Sequence, residues 1–569
     1  MRYLVLASDY DGTLAHDGTV AETTIAGIER LIRSGRKLIL VTGRELPDLQ
    51  SVFPRIDLCE RIVAENGALL YDPASKQSKR LAERPPDTFI ADLKRRGVSD
   101  MSVGEVIVAN WRPHEREAIE AIRDAGLELQ VIFNKEAVMI LPSGVNKMTG
   151  LCAALKDLKL SAHNVVAVGD AENDHAFLQS CEFPVAVANA IPALKQKAAM
   201  TTYGARGAGV VELIDRLIDT DLAEFESSAS QDCLVIGRIG DKRVRLSPYG
   251  RNILVCGPSA SGKSTAVIGL IEQIIDKRYQ VCLIDPEGDY EDLKGCRTIG
   301  DETHPPSVKE VMQVLDDPDA QTTVNLTGVP GADRPGCFAS LFSRVHELRL
   351  HAGRPHWLVI DEAHHVLPAE WTQVSTEVTE QLRNTILITV HPKHTSRAVL
   401  EKVNTIVVVG REPKKLFQEF AGTIDVKLPD MPERDLEQGE AAIWWLDKKE
   451  LLFGMTIEPS RTDHHRHKRK YAEGQLEEER IFRFRGSADK LNLRAQNLKI
   501  FIQLAEGIDT ETWLYHLKRG DYSNWFRRHI KDNELADRIA ELENDESLSD
   551  KDSRERVTSA IAEKYTSAE

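Results

Sequence analysis

Two long stretches of the chain alternate short, continuously apolar runs with amphipathic segments. YLVLAS, KLILVTG and NVVAVGD carry almost no polar positions, whereas IAGIERLIRSG and HAFLQS place apolar residues at helical spacing. Unbroken apolar strands separated by helices predict a parallel sheet covered on both faces. The pattern holds from residue 3 to about 222, where the polar, non-periodic AEFESSASQD (223–232) reads as a linker. A second alternation then runs to about 457 through CLVIGRI, RNILVCG, QVCLIDP, TTVNLTG, HWLVIDE, TILITVH and NTIVVVG. PSRTDHHRHKRKYAEGQLEEER (459–480), basic then acidic, predicts an exposed connector. The remainder predicts helices, with glycine stops at Gly507 and Gly520. The last ~25 residues are highly charged and are expected to fray. The expected units are therefore 1–222, a linker at 223–231, 232–458, a charged linker at 459–480, and 481–569.

Composition narrows the class. The chain has 569 residues, 42% hydrophobic and 28% charged, which fits several packed domains and excludes wholesale disorder. No run approaches the ~18 apolar residues of a membrane span, so no membrane partner is expected. The start, MRYLVLASDYDGT, meets acids before any cleavage-site pattern and predicts no signal peptide. Eight cysteines without CxxC pairs read as reduced thiols, and with them the chain reads as cytoplasmic. A net charge of −16 argues against a general nucleic-acid coat and leaves only a local basic channel open.

The first chemical centre lies at strand ends, where open α/β sheets place ligands. YLVLAS delivers Asp9, Asp11 and Thr13; KLILVTGR ends in Thr42, Gly43 and Arg44; NVVAVGD ends in Asp170, with Asn173 and Asp174 beyond; Lys147 follows GVN. Two acids after a buried strand are costly unless a cation compensates them. Such a set suits aspartyl-phosphate chemistry: one carboxylate attacks phosphorus, a neighbour handles the leaving-group proton, and a divalent cation offsets the crowded charge. Lys147 and Thr42 would hold the transferring oxygens.

DYDGT, VTGR, the lone Lys147 and GDAEND occur in the order of the haloacid dehalogenase (HAD) superfamily, and residues 3–222 resemble its Cof-like phosphatases. AENGALLYD (64–72) and PVAVANA (184–190) are secondary matches. The resemblance implies a Rossmann-like domain with an α/β cap at about 84–143. It implies Asp9 as nucleophile and Asp11 as general acid/base. Mg²⁺ would be held by the Asp9 carboxylate, the Asp11 carbonyl and Asp170, with Asp174 in support. Relatives with this cap type favour sugar phosphates and other small phosphomonoesters. Arg112, His114 and Arg116 in the cap read as a solvated face rather than as substrate contacts.

The second centre follows RNILVCG. Gly257, four residues, then Gly262, Lys263 and Ser264 satisfy G-x-x-x-x-G-K-[ST] between a buried strand and a helix. Glycines free backbone N–H groups to cradle phosphates, Lys263 reaches the β/γ oxygens and Ser264 ligates Mg²⁺. Ser261 and Thr265 complete the ATP-binding loop. Asp361 and Glu362 end the strand HWLVI and supply a metal-side carboxylate and a base that aligns water. LVIGRI, LIDPEGDYEDL and LVIDEAHHVLP resemble the HerA/FtsK group of pumping ATPases, over about 232–457. That resemblance implies a RecA-like fold and a homo-oligomer, a hexamer, that binds ATP between subunits. His391 stands where the group commonly has a polar sensor, and Arg397 and Arg411 are candidate arginine fingers.

The tail crowds Trp513, Tyr515, Trp525 and Phe526 among cations; a small helical core explains them better than base stacking. HHRHKRK (464–470) reads as solvated linker rather than a metal or nucleic-acid site. The combined expectation is an α/β protein with a small all-α terminal domain. It would be a bifunctional hydrolase: a Mg²⁺-dependent phosphatase of small phosphomonoesters fused to an ATPase that assembles or regulates it. The alternatives are a DNA-processing motor, of the kind used against phage, whose first domain trims nucleic-acid ends, and a phosphatase/kinase of end repair.

Overall fold

The computed structural model describes residues 1–98, 100–134, 137–225, 233–258, 261–291, 293–370, 381–461, 476, 480–486, 491–530, 532–545 and 547–565. The amino-terminal unit is built on an eight-stranded sheet. Its six parallel strands lie in the order Met200–Thr201, Phe183–Ala186, Val165–Gly169, Val5–Ser8, Lys37–Val41, Arg61–Ala64. Every residue of Val5–Ser8 and Val165–Gly169 is buried, as strands covered by helices on both faces must be. Leu69–Asp72 and Gln77–Arg80 extend the edge antiparallel. An unbroken apolar run does not encode strand direction, so the sequence reading of a purely parallel sheet missed this flap.

The cap is a separate four-stranded antiparallel sheet: Met101–Val103, Val108–Trp111, Ala137–Pro142, Leu129–Asn134. Helices Asp87–Arg95 and Glu115–Ala125 cover one face, packing Phe89, Leu93, Ala118 and Ala121 against Val108 and Ile140. Met139, Ala109 and Ile132 stand in register on the other face.

The second unit holds an eleven-stranded sheet. Seven parallel strands run in the order Thr405–Val409, Asn252–Cys256, Thr385–Thr389, Trp357–Ile360, Val281–Asp285, Gln321–Asn325, Cys296–Ile299. Thr385–Thr389 thus separates the strand before the phosphate loop from the strand before Asp361. Glu440–Trp445, Glu450–Ile457, Leu234–Ile239 and Lys242–Leu246 add an antiparallel edge.

The tail forms a compact cluster. A ribbon of Phe482–Phe484 and Leu493–Ala495 accompanies its helices, an addition to the all-α expectation. Trp513, Trp525 and Phe526 are buried with Phe482, Phe501 and Tyr522, so these aromatics form a core and are not offered to a base. Fraying of the last residues is overturned as far as Tyr565. Helix Asp550–Tyr565 buries Val557, Ala560 and Ile561, an i, i+3, i+4 stripe that charged neighbours hide in the sequence.

The expected first linker starts inside the fold, since Phe225 packs edge-on against Phe183 at 5.6 Å; residues 226–232 and the 464–470 run lie outside the described residues. Arg461, in the expected connector, donates its backbone N–H to Glu272 at 2.8 Å. All eight cysteines are free; Cys59, Cys181, Cys256 and Cys282 are buried, and Cys152 is exposed. Among the described residues no helix is long and apolar enough to cross a membrane.

Ile561→Ala is expected to destabilise the terminal cluster by about 2–5 kcal/mol through the cavity it leaves. Urea unfolding or limited proteolysis checks this; an unchanged transition would mean that the last helix does not pack.

Candidate phosphatase and nucleotide sites

The strands Val5–Ser8 and Val165–Gly169 are neighbours in the sheet, so Asp9 and Asp170, one residue past each, emerge side by side. Lys147 opens helix Lys147–Asp157, whose start is fixed by a reciprocal capping box between Asn146 and Thr149. Its ammonium is 2% exposed and donates to Asp9 Oδ1 at 2.6 Å and to Asp174 Oδ1 at 2.7 Å. Asp174 Oδ2 accepts the backbone N–H groups of Asp170 (2.9 Å) and Ala171 (3.0 Å). The carboxylates of Asp9, Asp170 and Asp174 all lie within 4.8 Å of one another and are all buried.

This crowding has an electrostatic consequence. Burial first, then the neighbouring Asp174, push the Asp9 carboxyl well above its ordinary range despite Lys147. Burial would lower the Lys147 ammonium, but Asp174 and Asp9 outweigh it and hold it above its ordinary value. Three buried carboxylates against one ammonium leave a surplus of negative charge, and the donor set is all oxygen. That is the environment a hard divalent cation fits. Asp174 already has both oxygens engaged, so Asp9 and Asp170 are the better-placed ligands and Asp174 the orienting partner. Gly12 is required here: its φ is +89°, and a Cβ would fall 2.4 Å from Asp170 Oδ2.

The remaining expected residues surround this core. Asp11 is gripped by Arg44, whose Nε and Nη2 each donate to one of its carboxylate oxygens at 2.7 Å. Thr42 is buried behind them, its hydroxyl accepting the Arg44 N–H at 3.1 Å. Together Asp9, Asp11, Arg44, Lys147, Asn173 and the cap's Met139 line a cavity of about 90 Å³. Arg116 points away from it, exposed and paired with Glu120 at 2.8 Å; Arg112 pairs with Glu115 at 3.5 Å.

Sequence reasoning missed Glu65. Fully buried, it accepts the backbone N–H groups of Glu105, Val106 and Ile107 at 2.8, 2.8 and 3.0 Å, clamping the cap's turn between Met101–Val103 and Val108–Trp111 to the first domain. A lone acid within the apolar string VAENGALL was the available signal.

In the second unit, helix Lys263–Asp276 begins at the phosphate-loop lysine, with Gly262 at φ +101° as its cap. Lys263 is buried and donates to the carbonyls of Gly257 (2.9 Å) and Pro258 (3.1 Å). Ser261 packs under Gly410, where a Cβ would come within 2.6 Å. Ser264 and Thr265 occupy the first turn of the helix, next to the loop.

Asp361 and Glu362 are both buried at the end of Trp357–Ile360. Burial, then Glu362, Asp289, Asp285 and Glu287, drive the Asp361 carboxyl well above its ordinary value. Burial and Asp289 push Asp285 up to about 7. His391 is paired with Glu419 at 3.3 Å. Thr389, two residues earlier and fully buried, is the strand-end group beside the acids: its hydroxyl lies 3.3 Å from His364 Nδ1, which is 3.6 Å from Glu362. Arg397 is exposed and held by Glu401 (2.8 Å) and Asp425 (3.4 Å), and Arg411 is exposed one residue past Gly410.

Comparison with known proteins finds a match for each of the two units. Residues 6–101 and 99–214 match the family of haloacid dehalogenase-like hydrolases, and residues 236–408 match the central domain of helicase HerA. The amino-terminal unit is a HAD-like hydrolase domain, and the second unit is a HerA-type domain. Phosphoglycolate phosphatase 2 of Saccharolobus solfataricus is 29% identical over 220 residues, covering 38% of this chain and 92% of that protein. The phosphoglycolate phosphatase of Methanothermobacter thermautotrophicus is 28% identical over 219 residues, covering 37% of this chain and 98% of that protein. The HAD–HerA fusion is thus an α/β enzyme of the hydrolase class.

Asp170→Asn removes one charge from the buried triad of the HAD domain. Without metal the variant is expected to melt no lower than wild type, because repulsion is relieved. Mg²⁺ should raise the melting temperature of wild type, by about 2.7 kcal/mol of stability at a hundredfold excess over Kd, and leave the variant unmoved. A wild-type Mg²⁺ shift in Asp170→Asn would remove Asp170 from the metal site.

Proposed function

We propose that the HAD domain is a Mg²⁺-dependent phosphatase of small phosphorylated acids such as phosphoglycolate, regulated by the nucleotide state of the HerA-type domain. The observation that carries the phosphatase reading is the buried Asp9–Lys147–Asp174 network beside Asp170 at the floor of the capped cavity. Asp9, Asp170 and the Asp11 carbonyl would hold the cation, which would supply charge neutralisation at the phosphoryl group. Asp9 attacks phosphorus while the bond to the leaving oxygen breaks, and that oxygen takes the proton of Asp11, which acts once it has left the Arg44 pair and gained a proton from solvent. Asp11, now a carboxylate, takes a proton from water as the water oxygen attacks the aspartyl-phosphate. The bond to Asp9 breaks, and inorganic phosphate leaves. Lys147 holds a transferring oxygen and keeps Asp9 aimed; Thr42 backs the same wall.

The cavity favours a short leaving group. At about 90 Å³ it is small, and the cap face above it presents Met139 flanked by Ala109 and Ile132. The named activity of the curated relatives supports the same size class.

In the second domain, ATP is the substrate of Lys263, which is drawn from the Gly257 and Pro258 carbonyls to the phosphates. Ser264 and Asp361 would hold Mg²⁺, which would offset the phosphate charge, and Glu362, positioned through His364 and Thr389, orients the attacking water. Exposed Arg397 and Arg411 suit completion of a neighbouring subunit's site in a hexamer.

Phosphate release from phosphoglycolate tests the reading. Asp9→Asn should abolish it and Asp11→Asn lower kcat about 10²–10⁴-fold, both with ATP hydrolysis intact; EDTA should stop it. Undiminished release by Asp9→Asn would reject the nucleophile. Lys263→Ala should lose ATP hydrolysis and keep basal phosphatase activity. A single-chain mass by light scattering with ATP bound would contradict the hexamer.

A further inference from the structure

The two domains meet through a polar joint built from the edges opposite their catalytic ends. His163 of the HAD domain inserts its ring there. Its Nδ1 lies 2.6 Å from Glu182 Oε2, and its Nε2 lies 2.7 Å from the backbone carbonyl of Lys277. Both neighbours are acceptors, so the ring satisfies both only with hydrogen on each nitrogen. It stacks on Tyr279 at 3.7 Å, and the Tyr249 hydroxyl donates to the His163 carbonyl at 3.2 Å. Arg2 donates to the other oxygen of Glu182 at 2.7 Å. Burial of Glu182 is outweighed by His163 and Arg2, which hold its carboxyl below the ordinary range.

A second contact runs beside it. Arg354, fully buried, donates to the carbonyls of Lys159 (3.0 and 2.8 Å) and Asp316 (2.9 Å) and also to that of Leu315.

The places these contacts occupy are informative. Lys277 caps the carboxyl end of the helix that starts at Lys263, 14 residues and about 21 Å away. His163 immediately precedes Val165–Gly169, the strand that delivers Asp170. Arg354 precedes Trp357–Ile360, the strand that delivers Asp361 and Glu362. Lys159 follows the helix that starts at Lys147. Each contact therefore joins a segment one to three residues from an element bearing a nucleotide-site residue to a segment equally near one bearing a phosphatase-site residue. The helix terminus also favours a cationic ring, since its last carbonyls carry partial negative charge.

We infer that this joint couples the two active sites: withdrawal of Lys263 toward a nucleotide's phosphates shifts its helix, and His163 passes the shift to the strand carrying Asp170. The inference rests on the phosphatase reading only for its kinetic readout. Coupling between two sites is reciprocal in binding free energy, so ligation of the HAD site alters nucleotide affinity by the same factor.

The test uses the full chain and a non-hydrolysable ATP analogue. In wild type the analogue should change the KM or kcat of phosphoglycolate hydrolysis at least threefold, and should alter amide hydrogen exchange over residues 163–174. His163→Gln should retain basal phosphatase activity and bind the analogue but lose both responses. Glu182→Gln, which keeps the shape and removes the facing charge, should weaken them, and Tyr279→Phe, which keeps the stacked ring but loses the hydroxyl's hydrogen bonds to Glu182 (3.1 and 3.3 Å), should weaken them less. If His163→Gln does not fold, the Glu182→Gln response decides. Responses of wild-type size in folded His163→Gln or Glu182→Gln would overturn the coupling, as would absence of any exchange response in wild type. Exchange is read without a phosphatase substrate, so a failed phosphatase assignment would leave it intact and remain distinguishable.

Discussion

The buried ion cluster of Lys147, Asp9 and Asp174 is the constraint on which the HAD domain depends. An ammonium 2% exposed, 2.6 Å from one carboxylate and 2.7 Å from another, tolerates no missing partner. Removing one side of such a pair costs about 3–5 kcal/mol because a charge is left alone in a poor solvent. The sheet order that puts Val5–Ser8 beside Val165–Gly169, the capped start of helix Lys147–Asp157 and the bare backbone at Gly12 all serve that cluster. With Asp170 added, the cluster keeps a negative surplus at the floor of a small cavity. Catalysis and cation binding draw on the same imbalance.

The HerA-type domain repeats the logic with different parts. Asp361, Glu362, Asp285, Glu287 and Asp289 gather near the end of one strand pair, and burial with mutual repulsion raises Asp361 and Asp285. Lys263 is meanwhile parked on its own loop carbonyls. The domain thus gathers buried acidic charge that a bound metal ion would offset. Two such centres at the far edges of two sheets, with a hydrogen-bonded joint between the near edges, form a single mechanical unit rather than two tethered domains.

Much of this was legible in the sequence because the chemistry sits where strands end, and apolar strings mark strand ends clearly. DYDGT, GDAEND, GKST and DEAH each follow a buried strand, so motif and position could be read together. What escaped was of two kinds. Strand direction is silent in an apolar run, so the antiparallel edges at Leu69–Arg80 and Glu440–Ile457 were not foreseen. Partners distant in sequence were silent as well: Glu65 finds its three N–H donors about 40 residues later, and Glu182 meets Tyr279 from the other domain at 3.1 Å. His391 drew attention as a strand-end polar residue, yet it turns to Glu419 while the plainer Thr389 reaches toward the acid pair through His364.

The central claim is that Asp9 forms a covalent phospho-intermediate within the buried cluster. The most direct measurement is rapid quenching of the Mg²⁺-loaded protein during turnover of phosphoglycolate, followed by borohydride reduction and peptide mass spectrometry. The account predicts conversion of the residue at position 9 to homoserine, absent without substrate and absent in Asp9→Asn. Turnover without any reduced product at position 9, or with the reduced product at Asp11, would contradict it.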